Sequence, residues 1–349
     1  MTYTTQMNEI IEERYQFCLW LYRIKKETDK RNKAIRERGE ENLVYMSIFA
    51  LPSHIKKMFG DFLRTPQYTE INTLDGHTNY HVNCLAIHEN KMYSGGGICG
   101  DIRVWNTETY EEITTLIKDG HGGVSCLTLH ENRLFSGNWD EMIRIWNTDT
   151  YEAIAILRGH TNGVNCLSYH DNKLFSGGRD STIRVWNTEA QPIIAKATLE
   201  GHTGSVRCLT LHENRLYSGS IDNTIRIWNT DTYEAIAILR GHIGWVSCLT
   251  IHDNKLFSGG DETIRIWNTE THEEIATLRG HTGGMSCLTL HENKLYSGSY
   301  DKTIRIWDTE TYEEIANLNG HTKDVNCLAI HQNKLYSGSD DDTIRVWKV

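Results

Sequence analysis

The chain has 349 residues, enough for one large domain and an extension, and its net charge is −10. Residues 1–67 carry 12 basic and 9 acidic side chains, so the rest of the chain carries −13, and this excess of acid argues against nucleic acid as the main partner. Because no apolar run is long enough to cross a bilayer and no secretory signal is visible, we expect no membrane partner and a cytoplasmic or nuclear location.

Residues 6–41 are predicted to form a helix. An apolar stripe at spacings of four and three runs along its first half, through Met7, Ile11, Tyr15, Cys18 and Tyr22. The second half is charged on every side, and the stripe sustains too few heptads for a coiled coil. A solvated helix end and a partner-binding helix are therefore both open interpretations.

Residues 51–63, "LPSHIKKMFGDFL", predict a second helix, because Ser53 can cap it and its apolar side chains share one face. This stretch resembles the start of an F-box, the helical module that links some β-propeller proteins to ubiquitin-ligase scaffolds. A complete F-box needs more helix than the few residues between Leu63 and the next predicted strand. Either this helix docks on the repeats that follow, or residues 44–64 reach a ligase. The helices within residues 6–63 are thus where any second partner is expected.

Seven similar units follow. A Gly-His pair recurs seven times, and successive histidines are 39 to 44 residues apart. A tryptophan follows each pair at a nearly fixed distance, and these are Trp105, Trp146, Trp186, Trp228, Trp267, Trp307 and Trp347. Each unit contains four short runs of alternating apolar residues, which predict four strands separated by turns. Since one four-stranded sheet cannot bury both faces, neighbouring units must stack.

The Gly-His pair followed by "SGS-x-D-x-TIRIW" resembles the repeat of the WD-repeat β-propeller family, over about residues 68–349. The resemblance implies an all-β fold, a seven-bladed propeller, after a short α-helical extension over residues 1–67. The seventh unit lacks a fourth strand, and residues 68–74, "YTEINTL", share the spelling of the fourth strand in other units. We therefore expect them to complete the last blade and close the ring.

Each unit brings His, Ser, Asp and Trp to equivalent positions, and six units have the full set. The family resemblance implies that these side chains form hydrogen-bonded structural tetrads, such as His160, Ser176, Asp180 and Trp186; His202, Ser218, Asp222 and Trp228; and His281, Ser297, Asp301 and Trp307. A catalytic set should be unique to one or two units, so no catalytic residue is assigned. The first unit departs from the pattern, with Cys99 in place of the turn Asp, and the fifth has one residue fewer before Asp261.

No metal and no cofactor is expected. The histidines share no ligand spacing, and no glycine-rich phosphate loop opens a helix. Seven of the nine cysteines occupy one position in each unit, too dispersed to form disulfides, and are predicted to be buried free thiols: Cys84, Cys126, Cys166, Cys208, Cys248, Cys287 and Cys327.

Positions that differ between the units are free of the demands of the fold. In the family, one rim of the propeller carries partner contacts, through the residues that flank the first-strand Val and the residue before the turn Asp. Carried over to this chain, these positions predict a partner-binding set of His81, Trp139, Arg179, Arg207, Ile221, Trp245, Tyr300, Asp324 and Asp340. Aromatic and arginine side chains dominate binding hot spots, which favours this interpretation.

The sequence therefore predicts a monomeric, non-catalytic scaffold or adaptor that binds a protein or peptide on the rim. The alternative is a substrate-recognition subunit of a ubiquitin ligase, of the F-box/WD-repeat type. An enzyme is the third alternative, and the repetition of the Ser/His/Asp set in six units argues against it.

Overall fold

The structure is a computed structural model, and the residues it describes are 68–77, 81–97, 100–116, 122–190 and 192–349. The helices predicted within residues 6–63 lie outside the described residues, as do Cys99 and the second-unit histidine, His121. The chain divides at Gln67 into two units, of which the second is Tyr68–Val349. The fold described below is that of the second unit.

The period-two runs of each repeat form four strands, and the resulting sheet is called a blade. Blades one to four are made of β2 (Val82–His88), β3 (Lys91–Gly96), β4 (Ile102–Asn106) and β5 (Glu112–Leu116); β6 (Val124–His130), β7 (Arg133–Asn138), β8 (Ile143–Asn147) and β9 (Ala153–Leu157); β10 (Val164–His170), β11 (Lys173–Gly178), β12 (Ile183–Asn187) and β13 (Ala195–Leu199); and β14 (Val206–His212), β15 (Arg215–Ser220), β16 (Thr224–Asn229) and β17 (Ala235–Arg240). Blades five to seven are made of β18 (Cys248–His252), β19 (Lys255–Gly259), β20 (Thr263–Asn268) and β21 (Glu274–Arg279); β22 (Met285–His291), β23 (Lys294–Ser299), β24 (Ile304–Asp308) and β25 (Glu314–Leu318); and β26 (Val325–His331), β27 (Lys334–Ser339), β28 (Thr343–Lys348) and β1 (Thr69–Asp75).

The blades form a closed ring. Strands pair antiparallel in chain order within each blade, except that the seventh sheet has the order β26-β27-β28-β1. Leu74 on β1 lies opposite Ile344 on β28, so the two ends of the repeat region share one sheet. The first strand of each blade contacts the first strand of the next, and β26 contacts β2. The predicted all-β, seven-bladed propeller is therefore confirmed.

The hydrophobic core lies between neighbouring blades, because each sheet buries its apolar faces against the next. At the closure of the ring, Val82 and Trp105 of blade one pack in one cluster with Leu74 and Tyr336 of blade seven. Clusters of the same composition join the other blades. Breaking the seventh sheet would therefore expose the core of two blades.

A glycine in the second strand sets how closely two blades approach. A Cβ atom at Gly177 would lie 2.5 Å from the Cys166 sulfur and 2.6 Å from a methyl group of Val206 in the next blade. Both distances are far below van der Waals contact, so a larger residue would push the blades apart. The other six blades repeat this contact, at Gly95, Gly137, Gly219, Gly259, Gly298 and Gly338.

Lysines join neighbouring blades on the face of the ring where a tight turn connects the first strand of each blade to the second. Nζ of Lys91 donates to the carbonyl of Thr148 in the next blade at 3.0 Å and lies 5.1 Å from the centre of the Tyr151 ring. Each contact combines a hydrogen bond with a cation–π interaction. Three other lysines repeat both contacts, and these are Lys173, Lys255 and Lys334.

Candidate partner-binding site on the rim

A β-bulge at the start of the first strand directs one side chain toward the centre of the ring. In blade three the register of β10 and β11 shifts between Val164 and Cys166, which leaves Asn165 as the extra residue. Blades one, two, four, six and seven have the same shift, whereas in blade five Ser247 lies just before β18. These seven positions, one in each blade, are Asn83, Ser125, Asn165, Arg207, Ser247, Ser286 and Asn326. Together with Trp139, Arg179 and Tyr300 they line a central cavity of about 220 Å³.

Most of these seven side chains are occupied in joining the blades. In blades one, three and seven an Asn Nδ2 donates to the first-strand carbonyl of the next blade, at 3.0, 2.9 and 3.1 Å, from Asn83, Asn165 and Asn326. The hydroxyls of Ser125 and Ser286 donate to the equivalent carbonyls. The side chain of Arg207 makes no hydrogen bond or ion pair with any described residue. It is therefore a cationic group that the cavity offers to a ligand.

Trp139 and Arg179 form one side of the central cavity. The Arg179 guanidinium lies 5.6 Å from the centre of the Trp139 ring, a cation–π distance, and its Nε donates to Asn165 Oδ1 at 3.2 Å. Trp139 is 38% exposed and Tyr300 is 41% exposed. Both aromatic rings therefore offer a surface to a partner, and the Trp139 ring also packs against Arg179.

The side of the rim formed by blade seven, called the acidic side, carries two carboxylates, Asp324 and Asp340, and one lysine, Lys323, whose Nζ donates to the Asp340 carbonyl at 3.0 Å. The carboxylate of Asp340 lies 3.3 Å from Nδ1 of His81 in blade one. Burial raises the pKa of Asp324, and the neighbouring charge of Asp340 raises it further. Burial also raises the pKa of Tyr300, an effect that Arg207 opposes and Asp324 reinforces. Tyr300 is therefore within electrostatic reach of both the cationic and the acidic side.

The nine predicted rim residues fall in three places. Four of them line the central cavity together: Trp139, Arg179, Arg207 and Tyr300. Three lie on the acidic side: His81, Asp324 and Asp340. The other two do not line the cavity: Ile221, which is half-buried, and Trp245, which is 56% exposed.

The tetrad of blade four is a directed chain of hydrogen bonds. The indole N–H of Trp228 can only donate, and it donates to the Ser218 oxygen at 2.9 Å. The ionised Asp222 carboxylate can only accept, so Nδ1 of His202 carries the hydrogen; burial lowers the pKa of this ring, so it is neutral and its Nε2 accepts the Ser218 proton at 2.8 Å. Nδ1 of His202 donates its hydrogen to the Asp222 carboxylate at 2.8 Å. Each polar atom of the chain has a partner in the buried interior.

Other blades repeat this chain. The His–Ser, Trp–Ser and His–Asp distances are 2.8, 2.9 and 2.8 Å in the set His160, Ser176, Trp186 and Asp180, and 2.8, 2.9 and 2.7 Å in the set His281, Ser297, Trp307 and Asp301. Burial alone would raise the pKa of Asp222, but hydrogen bonds from Thr224, His202 and the Thr203 amide lower it to about 2. The carboxylate is thus ionised at neutral pH and accepts every one of these bonds.

Blades one and five depart from the common tetrad. In blade one, His77 contacts Ser94 at 2.7 Å, and no described carboxylate bonds to its other ring nitrogen. Burial lowers the pKa of His77 to about 4, and Arg103 contributes in the same direction. In blade five the shortened turn leaves His242 and Asp261 3.3 Å apart.

The seven repeated units match one protein family. A family model described as WD40, WD domain, G-beta repeat, matches all seven units, at residues 68–106, 111–147, 151–187, 195–229, 233–268, 272–308 and 312–348. The chain belongs to the WD40 repeat family. No curated protein matches it.

Solved structures share the fold of this WD40 propeller. The computationally designed Ika8 protein is 28% identical, with a TM-score of 0.65, over 80% of this chain and 99% of that chain. A chain of the mitotic checkpoint complex is 20% identical, with a TM-score of 0.75, over 80% of this chain and 92% of that chain. At 20% identity the second likeness shows the fold alone.

The WD40 propeller carries no metal-binding cluster in the part of the chain that the structure describes. None of the described residues forms a helix long and apolar enough to cross a membrane. The seven described cysteines are free thiols, and burial raises the pKa of Cys126 and Cys208 to about 12. These thiols are therefore protonated at neutral pH.

Sequence reasoning missed one exposed residue near the rim. Ile243 is 84% exposed and lines a groove of about 720 Å³ between blades five and six. Comparison of the units could have found it, because five other units have Thr at this position: Thr78, Thr161, Thr203, Thr282 and Thr322. Ile243 lies two residues before Trp245, so blade five presents two exposed apolar side chains close together in the chain.

Proposed function

We propose that this WD40 propeller is a non-catalytic scaffold whose rim binds a protein or peptide over the central cavity. One observation carries the proposal: Trp139, Arg179, Arg207 and Tyr300 come from four different blades, and none belongs to the repeated framework, yet all line one cavity. The stability of the fold does not require these four side chains, because the equivalent positions of other blades hold different residues. Protein-interaction scaffolds are also typical of the family.

Burial of the tetrads supports the absence of catalysis. The hydroxyl groups of Ser176, Ser218 and Ser297 belong to fully buried residues, and each is occupied by a Trp and a His. A nucleophile must be reachable by its substrate. The Ser/His/Asp sets therefore support the proposed structural role.

The nature of the partner follows from charge and location. The repeats carry a net charge of −13, so a protein or peptide is proposed in preference to nucleic acid or an anionic membrane. Seven free thiols favour a reducing compartment, which supports the proposed cytoplasmic or nuclear location; five are buried as predicted, whereas Cys126 and Cys287 are only partly buried. A monomer is proposed as the binding form.

The ubiquitin-ligase alternative depends on residues 44–64. These residues, with the F-box-like stretch 51–63, lie outside the described residues. No described contact favours a ligase role over a general scaffold, so the scaffold is the proposed function.

The test removes the exposed aromatic side chains of the rim. Trp139→Ala combined with Trp245→Ala should keep the fold, because substitutions at exposed sites cost about 0.5 kcal/mol each. The matched control is Ile238→Ala with Ile315→Ala, since these side chains are 40% and 43% exposed but belong to the repeated outer strands. All three proteins are compared by melting temperature and by pull-down.

The two double variants should behave differently. Buried interface anchors typically cost 2 kcal/mol or more on truncation, roughly thirtyfold in affinity. We therefore expect the tryptophan variant to lose the principal partner and the isoleucine variant to keep it. A folded tryptophan variant that retains every partner would overturn the proposed binding site.

A further inference from the structure

The rim carries opposite charges on opposite sides of the ring. Arg179 and Arg207 belong to blades three and four, whereas Asp324 and Asp340 belong to blade seven. In a ring of seven blades, three and four are the blades farthest from seven. A segment lying across the central cavity therefore meets positive charge at one end and negative charge at the other.

The two arginines of the cavity have no counter-ion, whereas five of the seven arginines on the third strands have one. Ion pairs within the protein hold Arg103, Arg144, Arg265, Arg305 and Arg345. Neither Arg179 nor Arg207 lies within ion-pair distance of a carboxylate among the described residues. Because Arg207 is also half-buried, its charge is partly desolvated without compensation. An anion that binds there would supply the missing partner.

The charged donors that remain free in the cavity are the guanidinium groups, and its neutral free donors are the hydroxyls of Ser247 and Tyr300, which have no hydrogen bond to a described residue. The amides of Asn83, Asn165 and Asn326 already donate to backbone carbonyls, and so do the hydroxyls of Ser125 and Ser286. A cavity of about 220 Å³ is also smaller than the roughly 300–1,000 Å³ of pockets for drug-sized ligands. Its size suits one side chain of a partner, and its free donors suit an anionic one.

We propose that the partner carries an Asp or Glu whose carboxylate enters the central cavity and binds Arg179 and Arg207. Guanidinium and carboxylate groups form paired, charge-assisted hydrogen bonds, which are about twice as strong as neutral ones. The Trp139 ring supports Arg179 and can pack against the same partner side chain. Asp324 and Asp340 repel a carboxylate from the opposite side, so the direction of the bound segment is set. This inference rests on the proposed function, because it concerns the same cavity.

Selection of random 12-residue peptides on the immobilised full chain tests the inference. Peptides that bind the parent but not the Trp139→Ala, Trp245→Ala variant should share an Asp or Glu at one position. Replacing that residue by Gln or Asn should weaken binding to the parent about tenfold or more. The same replacement should change binding to the Arg179→Gln, Arg207→Gln double variant less than twofold, because both charges that the carboxylate binds are then absent. Arg240→Gln, an exposed arginine on the outer strand of blade four, is the matched control and should respond like the parent.

The outcomes separate this inference from the proposed function. Rim-binding peptides without a shared acidic residue would overturn the inference and leave the rim as the binding site. Peptides that bind the tryptophan variant as well as the parent would overturn both. Synthetic peptides with phosphoserine at the shared position distinguish the source of the anion. If phosphoserine binds tightly while Glu binds no better than Gln, the assignment to a carboxylate is wrong.

Discussion

Removing one tetrad hydroxyl, Ser218→Ala, isolates the contribution of the buried network. Ser218 is fully buried, accepts from Trp228 and donates to His202. The substitution leaves both partners in place and takes away only the oxygen between them. The indole N–H and the imidazole Nε2 are then each left without a partner in the interior.

The expected loss follows from counting these two groups. An unsatisfied buried polar group costs about 1–3 kcal/mol, so the free energy of unfolding should fall by about 2–6 kcal/mol. For a domain of this size each kcal/mol lowers the melting temperature by about 2 °C, which predicts a decrease of about 4–12 °C. Scanning calorimetry of the parent and the variant measures this decrease in melting temperature. Ser205→Ala in the same blade is the control, because its hydroxyl bond to the Arg179 carbonyl is exposed and should cost about 0.5 kcal/mol or less.

A double-mutant cycle tests the physical reason. Trp228→Phe keeps most of the ring packing and removes the indole donor, so the pair Ser218→Ala with Trp228→Phe should cost less than the sum of the single changes. Strictly additive effects would show that the unsatisfied donor is not the cause. A Ser218→Ala variant that melts with the parent would refute the structural role of the tetrad altogether.

Two further predictions concern packing and pH. Gly177→Ala should destabilise the ring by about 1–3 kcal/mol, because the added methyl group overlaps Cys166 and Val206. Gly244→Ala is the control and should cost much less, because the nearest atom to its added methyl group would be 3.4 Å away. The urea midpoints of the two variants are compared, and equal midpoints would contradict the close-packing argument. Burial lowers the pKa of His77 from 6.5 to about 4, so the folded state disfavours protonation of this side chain. The contribution of neutral His77 to the free energy of unfolding is therefore complete above pH 6.5. It declines as the pH falls from 6.5 toward 4, by up to about 3 kcal/mol. His77→Gln should flatten the pH dependence of the urea midpoint in that range, and an unchanged slope would show that His77 does not titrate as described.

The number of blades and the positions of their strands could be predicted because the information is local. Period-two runs define each strand, and a recurring spacing of about 40 residues defines each blade, whatever lies on the other side of the ring. The family resemblance and the fold are both confirmed. The pairing of β1 with β28 follows from the same local spelling, "YTEINTL".

The central cavity could be predicted only in part. The sequence shows that Arg207 differs from the equivalent residues of the other units. Whether its side chain finds a hydrogen-bond partner depends on the positions of the backbone carbonyls at the neighbouring bulges, which the sequence does not give. Trp139 and Trp245 were selected by the same argument, yet only Trp139 lines the cavity. Blade five has a shortened turn and no bulge in the pairing of β18 with β19, and such shifts of register are tertiary features that the pattern of one unit does not contain.

The central claim is that repeated residues build the ring and the exceptions on the rim bind the partner. Its most direct test is the dissociation constant of the principal partner, measured by titration calorimetry, for the parent and the two double variants. The account predicts that Trp139→Ala with Trp245→Ala weakens binding by roughly thirtyfold or more, while Ile238→Ala with Ile315→Ala changes it less than about twofold. Equal affinity for the tryptophan variant and the parent, with both proteins folded, would contradict the claim.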